Sequence, residues 1–374
     1  MKRTSPDVIV IGGGNIGAAT AFGLSKLGVA VALIDEGDMA LRGARGNFGL
    51  VWFQGKGVGM PTYVDWCLEA TRKWAGFAME LEERTGLSLD YCKPGGLEVC
   101  IDEPECATIE QELYALRRQT TAYPYECEFI DRQALQSMIP QMELGPAVLG
   151  ATYCPHDGHV NPLALLRALH GAFQAAGGNY FPGSKVTDIR HDGRVFQVHT
   201  QKELFSAPRV VLAAGLGIPP LAEILGMKIP VEPQRGQILV TERVRPVLPY
   251  PMGSIRQTAE GSFLFGSSNE SVGFDTSVSI PVMRAIAQRA RATFPCLGNL
   301  RIVRTWAALR PLTPDGFPVY EESKKYPGAF VLTSHSGVTL ASVYAEHIPR
   351  WIIGGQKPEG LEAFTSRRFH VQKN

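Results

Sequence analysis

Long hydrophobic runs are missing from the start of the chain. After the basic opening Met1-Lys2-Arg3, the apolar stretch Val8 to Ile11 stops at three glycines. That is too short for a signal core and far short of the about 20 residues that span a bilayer. No transmembrane segment and a cytoplasmic location are therefore expected. An excess of charge is missing as well: 37 Lys and Arg meet 36 Asp and Glu, a net charge of +1 in 374 residues. Without a basic field, nucleic-acid binding is not expected. Cysteine is sparse and unpatterned. The seven cysteines, at 67, 92, 100, 106, 127, 154 and 296, include no CxxC pair, which argues against zinc or an iron–sulfur cluster held by this chain. Buried, reduced thiols are expected instead. No internal repeat, low-complexity tract or long linker divides the chain.

What is present is an ordinary globular composition in a chain long for one hydrophobic core, which predicts two domains. Asp7 to Ile11 reads as a short buried strand and Gly12 to Gly17 as a tight turn. A helix over 18–27, ended by Gly28, then leads to a second strand over 29–34. Further helices are expected over 61–84, 162–176, 281–293 and 338–353. Strands are expected over 96–101, 185–189, 194–200, 209–215, 236–242 and 261–265.

Gly12, Gly14 and Gly17 match GxGxxG between a strand and a helix. The first glycine permits the turn, the second lets the backbone approach a pyrophosphate, and the third lets helix and strand pack closely. Phosphates then meet free N–H groups and the positive end of a helix dipole. Asp35, at the end of the next strand, offers a carboxylate to an adenosine ribose. Glu36 adds a second negative charge, which disfavours a 2′-phosphate and hence NADP. The pattern to this point fits NAD and FAD equally.

Seven later segments carry a resemblance. Gly43-Ala44-Arg45-Gly46-Asn47-Phe48-Gly49 looks like a small-residue loop along a flavin, and Asp157-Gly158-His159-Val160-Asn161-Pro162 like a DGxxxP turn into a helix. Val186 sits where a backbone contact to adenine is expected, and Val211-Leu212-Ala213-Ala214-Gly215 looks like a strand-then-glycine segment. Pro230 to Gln237 follows PVxPxRGQ, Leu309 to Gly316 follows xRPxTPDG, and Ser334 to Ala341 is similar to a GHGxxGxxLAP turn. In this order they resemble the D-amino acid oxidase-like family of FAD oxidoreductases, the glycine and sarcosine oxidase type, over essentially the whole chain. Ser334 and Ser336 depart from the usual glycines. That form resembles a branch containing the flavin subunit of hydrogen cyanide synthase and the smaller subunits of opine (octopine and nopaline) oxidases and of D-hydroxyproline dehydrogenase.

The resemblance implies an α/β fold: a Rossmann-type FAD-binding domain (1–90, 148–220 and 306–374) with an interleaved α+β substrate domain on an antiparallel sheet (91–147 and 221–305). The expected cofactor residues are Gly12, Gly14, Asn15, Ile16, Gly17, Asp35, Glu36, Arg42, Ala44, Asn47, Phe48, Gly49, Val186, Ala214, Gly215, Arg310, His335, Ser336, Gly337, Val338 and Thr339. The last turn is expected to open a helix whose N-terminus faces the flavin. The FAD is expected to be non-covalent, since Thr305 to Leu309 holds no cysteine and no histidine lies near the 43–49 loop.

The implied reaction is hydride transfer from the α-carbon of an opine, D-amino acid or imino acid to flavin N5, leaving an imine for hydrolysis. Arg310 is the first candidate for the substrate carboxylate and Arg256 the second. A larger partner subunit is implied as electron acceptor, with FMN or an iron–sulfur centre as candidate carriers. An oxygen-using oxidase, a non-catalytic FAD-carrying subunit and an NAD-dependent dehydrogenase stay open as alternatives. His335 reads as packed rather than catalytic, and His156 and His159 as turn residues rather than metal ligands. Trp52, Phe53, Trp66 and Trp74 read as core or subunit contacts.

Overall fold

A computed structural model describes residues 3–37, 43–120 and 123–369. The strands Val8–Ile11 and Val31–Ile34 are buried at every position, the pattern of parallel strands covered on both faces. They lie inside a six-stranded sheet ordered 319–322, 329–333, 209–212, 8–11, 31–34, 179–181. Its pairs are parallel except the outermost, Val319–Glu322 against Ala329–Thr333. Alternate side chains part to the two faces. Val8, Val10 and Leu33 pack with Phe22, Trp74 and Phe173 from the helices Asn15–Lys26, Pro61–Thr85 and Pro162–Ala175. Ile9, Ile11 and Ile34 instead meet Phe196, Val198 and Phe205 of a second, four-stranded sheet.

The turn after the first strand admits only glycine at two points. Gly12 has φ +108°, and a Cβ there would lie 2.4 Å from the Ala213 carbonyl oxygen. A Cβ at Gly17 would lie 1.9 Å from the Gly12 carbonyl oxygen.

A third layer is antiparallel, ordered 255–257, 262–266, 232–243, 302–312. Its Leu239, Ile255, Phe263 and Phe265 pack on Ala290 and Phe294 and on Leu97 and Val148. Leu97 belongs to a three-stranded sheet, 96–100, 150–154, 128–131. The strand Ile302–Leu312 runs unbroken through residue 306, and Gly150–Cys154 pairs with Gly96–Cys100. Both sheets thus draw residues from either side of the boundaries expected at 148 and 306.

Two expectations need correction. The helix expected over 338–353 is split into Ala341–Glu346 and Ile348–Ile352. Pro349 has no N–H for the Ala345 carbonyl and its ring crowds that group, so the helix breaks at His347. The freed Ala345 carbonyl packs against Gly23, where a Cβ would approach to 2.2 Å. The thiols are not uniformly buried and reduced either: Cys100 and Cys106 form a disulfide, and Cys92 and Cys296 are exposed. Among the described residues no helix is long and apolar enough to cross a membrane, and no group of three or more metal-ligating side chains occurs.

Candidate functional site

The carboxyl ends of four neighbouring parallel strands open into one cavity of about 1170 Å³, the place where open α/β sheets bind ligands. Strand 8–11 delivers Gly12, Gly14, Asn15 and Ile16, and strand 31–34 delivers Asp35 and Glu36. Strand 209–212 delivers Ala214 and Gly215, and strand 329–333 delivers Ser334 to Thr339. Ala44, Asn47, Phe48, Gly49, Val186 and Arg310 complete the walls. Gly17 is not in the wall; it packs beneath Gly12. Arg42 lies outside the described residues.

At the end near Asp35 the cavity suits a dinucleotide. Asp35 accepts the Gly13 N–H at 2.7 Å and the Gly37 N–H at 2.9 Å, which fixes its carboxylate beside the glycine turn. Glu36 lies 3.7 Å from the Lys185 ammonium. Among the described residues the N–H groups of Asn15, Ile16 and Gly17 have no acceptor, and the buried Asn15 Oδ1 has no partner. A Cβ at Gly14 would meet nothing nearer than Ala44 Cβ at 3.6 Å. Unpaired donors at a helix N-terminus, facing open space over a glycine, form a cradle for a pyrophosphate. The residues present fit a flavin dinucleotide.

The loop along the cavity is fixed by its own bonds. Asn47 donates to the Ala44 carbonyl at 2.8 Å and accepts the Gly49 N–H at 2.8 Å. Trp306 Nε1 donates to the Gly46 carbonyl at 3.1 Å. Arg256, expected as a second carboxylate ligand, does not reach the cavity wall. Its Nε donates to the Phe48 carbonyl at 2.6 Å, and Nη1 lies 3.4 Å from His159 Nδ1. Burial lowers this guanidinium to about 10. Arg256 therefore clamps the loop.

At the other end, side chains that no motif announced hold the 334–340 turn. Lys56 Nζ donates to Ser336 Oγ at 2.8 Å and to Thr339 Oγ1 at 3.2 Å. The Tyr63 hydroxyl donates to Ser336 Oγ at 2.7 Å, and Trp74 Nε1 to the Thr339 carbonyl at 2.8 Å. Desolvation lowers the Lys56 ammonium from its ordinary value. Beside it, fully buried Asp157 accepts the Phe53 N–H and, at 2.7 Å, Gln54 Nε2. Burial pushes its carboxyl up to about 7, the hydrogen bonds opposing. Burial pulls the His335 imidazole down to about 4, helped by Lys56 and Arg310, so His335 is neutral at pH 7.

Residues 335–340 form turns rather than the first turn of a helix, which starts at Ala341 and has six residues. The expected helix-terminal dipole is therefore absent from this wall. The turn still leaves the N–H groups of Gly337, Val338 and Thr339 without an acceptor among the described residues. Trp52 also departs from expectation by lining the cavity, whereas Phe53, Trp66 and Trp74 are core.

Arg310 projects from strand Ile302–Leu312. Its Nη1 donates to Gln234 Oε1 at 3.2 Å, the Ser268 carbonyl at 2.9 Å and Asn269 Oδ1 at 3.0 Å, and Nη2 donates to Ser267 Oγ. All are neutral acceptors, so the charge keeps no carboxylate partner among the described residues. Lys56, which lines the cavity, and Asp157 behind it were not singled out as site residues in the sequence. Asp157 had a signal in its DG turn, while Lys56 stands in a stretch without a spacing rule.

The family of FAD dependent oxidoreductases, DAO, matches residues 7–351. A subunit of opine oxidase from Agrobacterium tumefaciens (strain Ach5) is 37% identical over 367 residues, 98% of each chain. Its counterpart from Rhizobium meliloti is 35% identical over the same coverage. The crystal structure of glycine oxidase from Geobacillus kaustophilus superposes with a TM-score of 0.89 at 26% identity, over 97% of this chain and 98% of that one.

Proposed function

This chain belongs to the DAO family of FAD-dependent oxidoreductases, and from that premise we propose that it oxidises the C–N bond of an opine, D-amino acid or imino acid as one subunit of a larger complex. The observation that carries this reading is Arg310, a cavity-lining guanidinium bonded to neutral acceptors alone. When bound, FAD would supply the hydride acceptor for the carbon beside the substrate nitrogen.

The chain's own residues bind and orient. The Asn15 and Ile16 amides would hold the pyrophosphate, Asp35 and Glu36 would serve the ribose, and Val186 the adenine. Ala44 to Gly49 and His335 to Thr339 enclose the ring system. Arg310 fixes the substrate carboxylate through its planar fork, which holds the reacting carbon in one orientation. Neutral His335 adds no positive charge beside a substrate amine that reacts unprotonated. Trp52 narrows the cavity and excludes water. No side chain need take a proton from carbon.

Two relatives are named as subunits of opine oxidase, which supports a partner subunit; in this reading the partner is the larger one and takes the electrons, with FMN or an iron–sulfur centre as candidate carriers. The structural likeness to glycine oxidase favours a second reading, direct use of oxygen. The test supplies opines, D-amino acids and cyclic imino acids with an artificial electron acceptor and assays for carbonyl product. Product from any one supports the proposal, and none across the panel with FAD still bound contradicts it. Hydrogen peroxide equal to product, without the artificial acceptor, selects the oxidase.

A further inference from the structure

The wall formed by residues 334–339 carries a cation that no acid neutralises. Lys56 lines the cavity, and its half-buried side chain ends at two hydroxyls, Ser336 Oγ at 2.8 Å and Thr339 Oγ1 at 3.2 Å. Ser336 is 6% exposed and Thr339 1%, so the ammonium is anchored at buried atoms rather than in bulk water. A hydroxyl oxygen accepts a hydrogen bond but brings no negative charge. Among the described residues Lys56 is in no ion pair. Asp157 is the carboxylate that acts on it, yet its oxygens accept from the Phe53 N–H and from Gln54. Burial also pushes that carboxyl up to about 7, so at neutral pH it holds only part of a charge.

The same wall feels the ammonium. Lys56 and Arg310 act with burial to pull His335 down to about 4. Of these two cations, Arg310 would be matched by the substrate carboxylate. Lys185, at the other end of the cavity, lies 3.7 Å from Glu36. Lys56 is left unmatched. A hydride carries two electrons and one proton, so its transfer gives the flavin one negative charge and leaves the substrate a positively charged iminium, which releases a proton to become the imine. The helix N-terminus expected to meet that negative charge is missing, since the helix starts only at Ala341 and has six residues.

We propose that Lys56 is the fixed positive charge of the flavin pocket, which stabilises the reduced, negatively charged ring system and so raises its reduction potential. This rests on the FAD chemistry of the reading above. Charge beside the ring is one lever by which a protein tunes a flavin, and it acts more strongly where bound FAD excludes water. Lys56 keeps its proton throughout and gives none to the substrate.

The test measures the midpoint potential of the FAD-loaded full chain by anaerobic, dye-equilibrated reduction without substrate. Lys56→Gln keeps a donor for the two hydroxyls and loses the charge. It should shift the reduction equilibrium at least tenfold toward oxidised FAD, about 30 mV lower for a two-electron couple. Lys56→Arg keeps the charge, and Ser336→Ala breaks the clamp on the turn while keeping Lys56; both should stay within threefold of wild type. If Lys56→Gln sheds FAD on purification, the FAD-free chain is titrated with oxidised and with dithionite-reduced FAD. The preference for the reduced form should fall by the same factor, because the two equilibria are linked. Lys56→Gln within threefold of wild type overturns the proposal. So does an equal drop in Lys56→Arg or Ser336→Ala, which would make the shape of the turn the cause. No amino acid derivative enters this measurement, so its failure leaves the C–N reading standing, and a compound panel that bleaches nothing leaves the potential shift standing.

Discussion

Two side chains from far upstream in the chain meet at one hydroxyl: Lys56 and Tyr63 both donate to Ser336 Oγ. Hydrogen bonds from a charged donor contribute about 1.5–3 kcal/mol each. Lys56→Met removes the bonds to Ser336 and Thr339 and should weaken FAD retention about tenfold or more, read as FAD content after dialysis. Unchanged retention would show that the turn holds its shape without Lys56.

Asp157 gives a pH signature. Its carboxyl is raised by burial from 3.8 to about 7, so between these values the folded chain keeps a proton that the unfolded chain releases. Stability from this group is therefore fullest below the unfolded value and is lost as pH rises through 7. Asp157→Asn has no such proton. The Tm advantage of wild type over Asp157→Asn should be larger at pH 5 than at pH 8, and an equal difference at both would refute the assignment. Gly12, Gly14 and Asp35 were legible in sequence because a phosphate cradle imposes fixed spacing. Lys56 was not, because its partners lie about 280 residues further along and only folding brings them together.

The helix Asn15–Lys26 separates two roles that one glycine motif combines. Gly14 has φ −72° and ψ −177°, a conformation any residue adopts, and its Cβ would project toward the cavity. Gly14→Val should leave the Tm of the FAD-free chain unchanged while abolishing FAD binding. Gly17→Ala drives a Cβ into the Gly12 carbonyl and should destabilise even the FAD-free chain by about 1–3 kcal/mol. Thermal melts of the FAD-free proteins check both. Identical losses in the two variants would mean the glycines share one role.

Strand and helix positions were readable here because buried parallel strands are continuous apolar runs and amphipathic helices have a clear period. The break at His347 was not read, although Pro349 announced it, because the surrounding residues are apolar enough to suggest one helix. Strand partners were also hidden: nothing local pairs Gly150–Cys154 with Gly96–Cys100.

At the scale of the whole molecule, ordered motifs from residue 12 to residue 341 made the fold and cofactor legible, since all but the 157–162 turn contribute residues to the same cavity. The substrate pocket was opaque because its walls come from glycines and single charged residues on separate strands. No cysteine stands among Thr305 to Leu309, where a covalent flavin link would need one. Acid denaturation should therefore release FAD into the supernatant, and flavin retained in the pellet would contradict a non-covalent cofactor.

The most direct test of C–N oxidation is the visible spectrum of the purified chain, recorded anaerobically before and after addition of opines, D-amino acids and cyclic imino acids. Oxidised flavin bands should be present at the start and bleach with at least one compound. Flavin bands that survive the whole panel, or no bands at all, would contradict it.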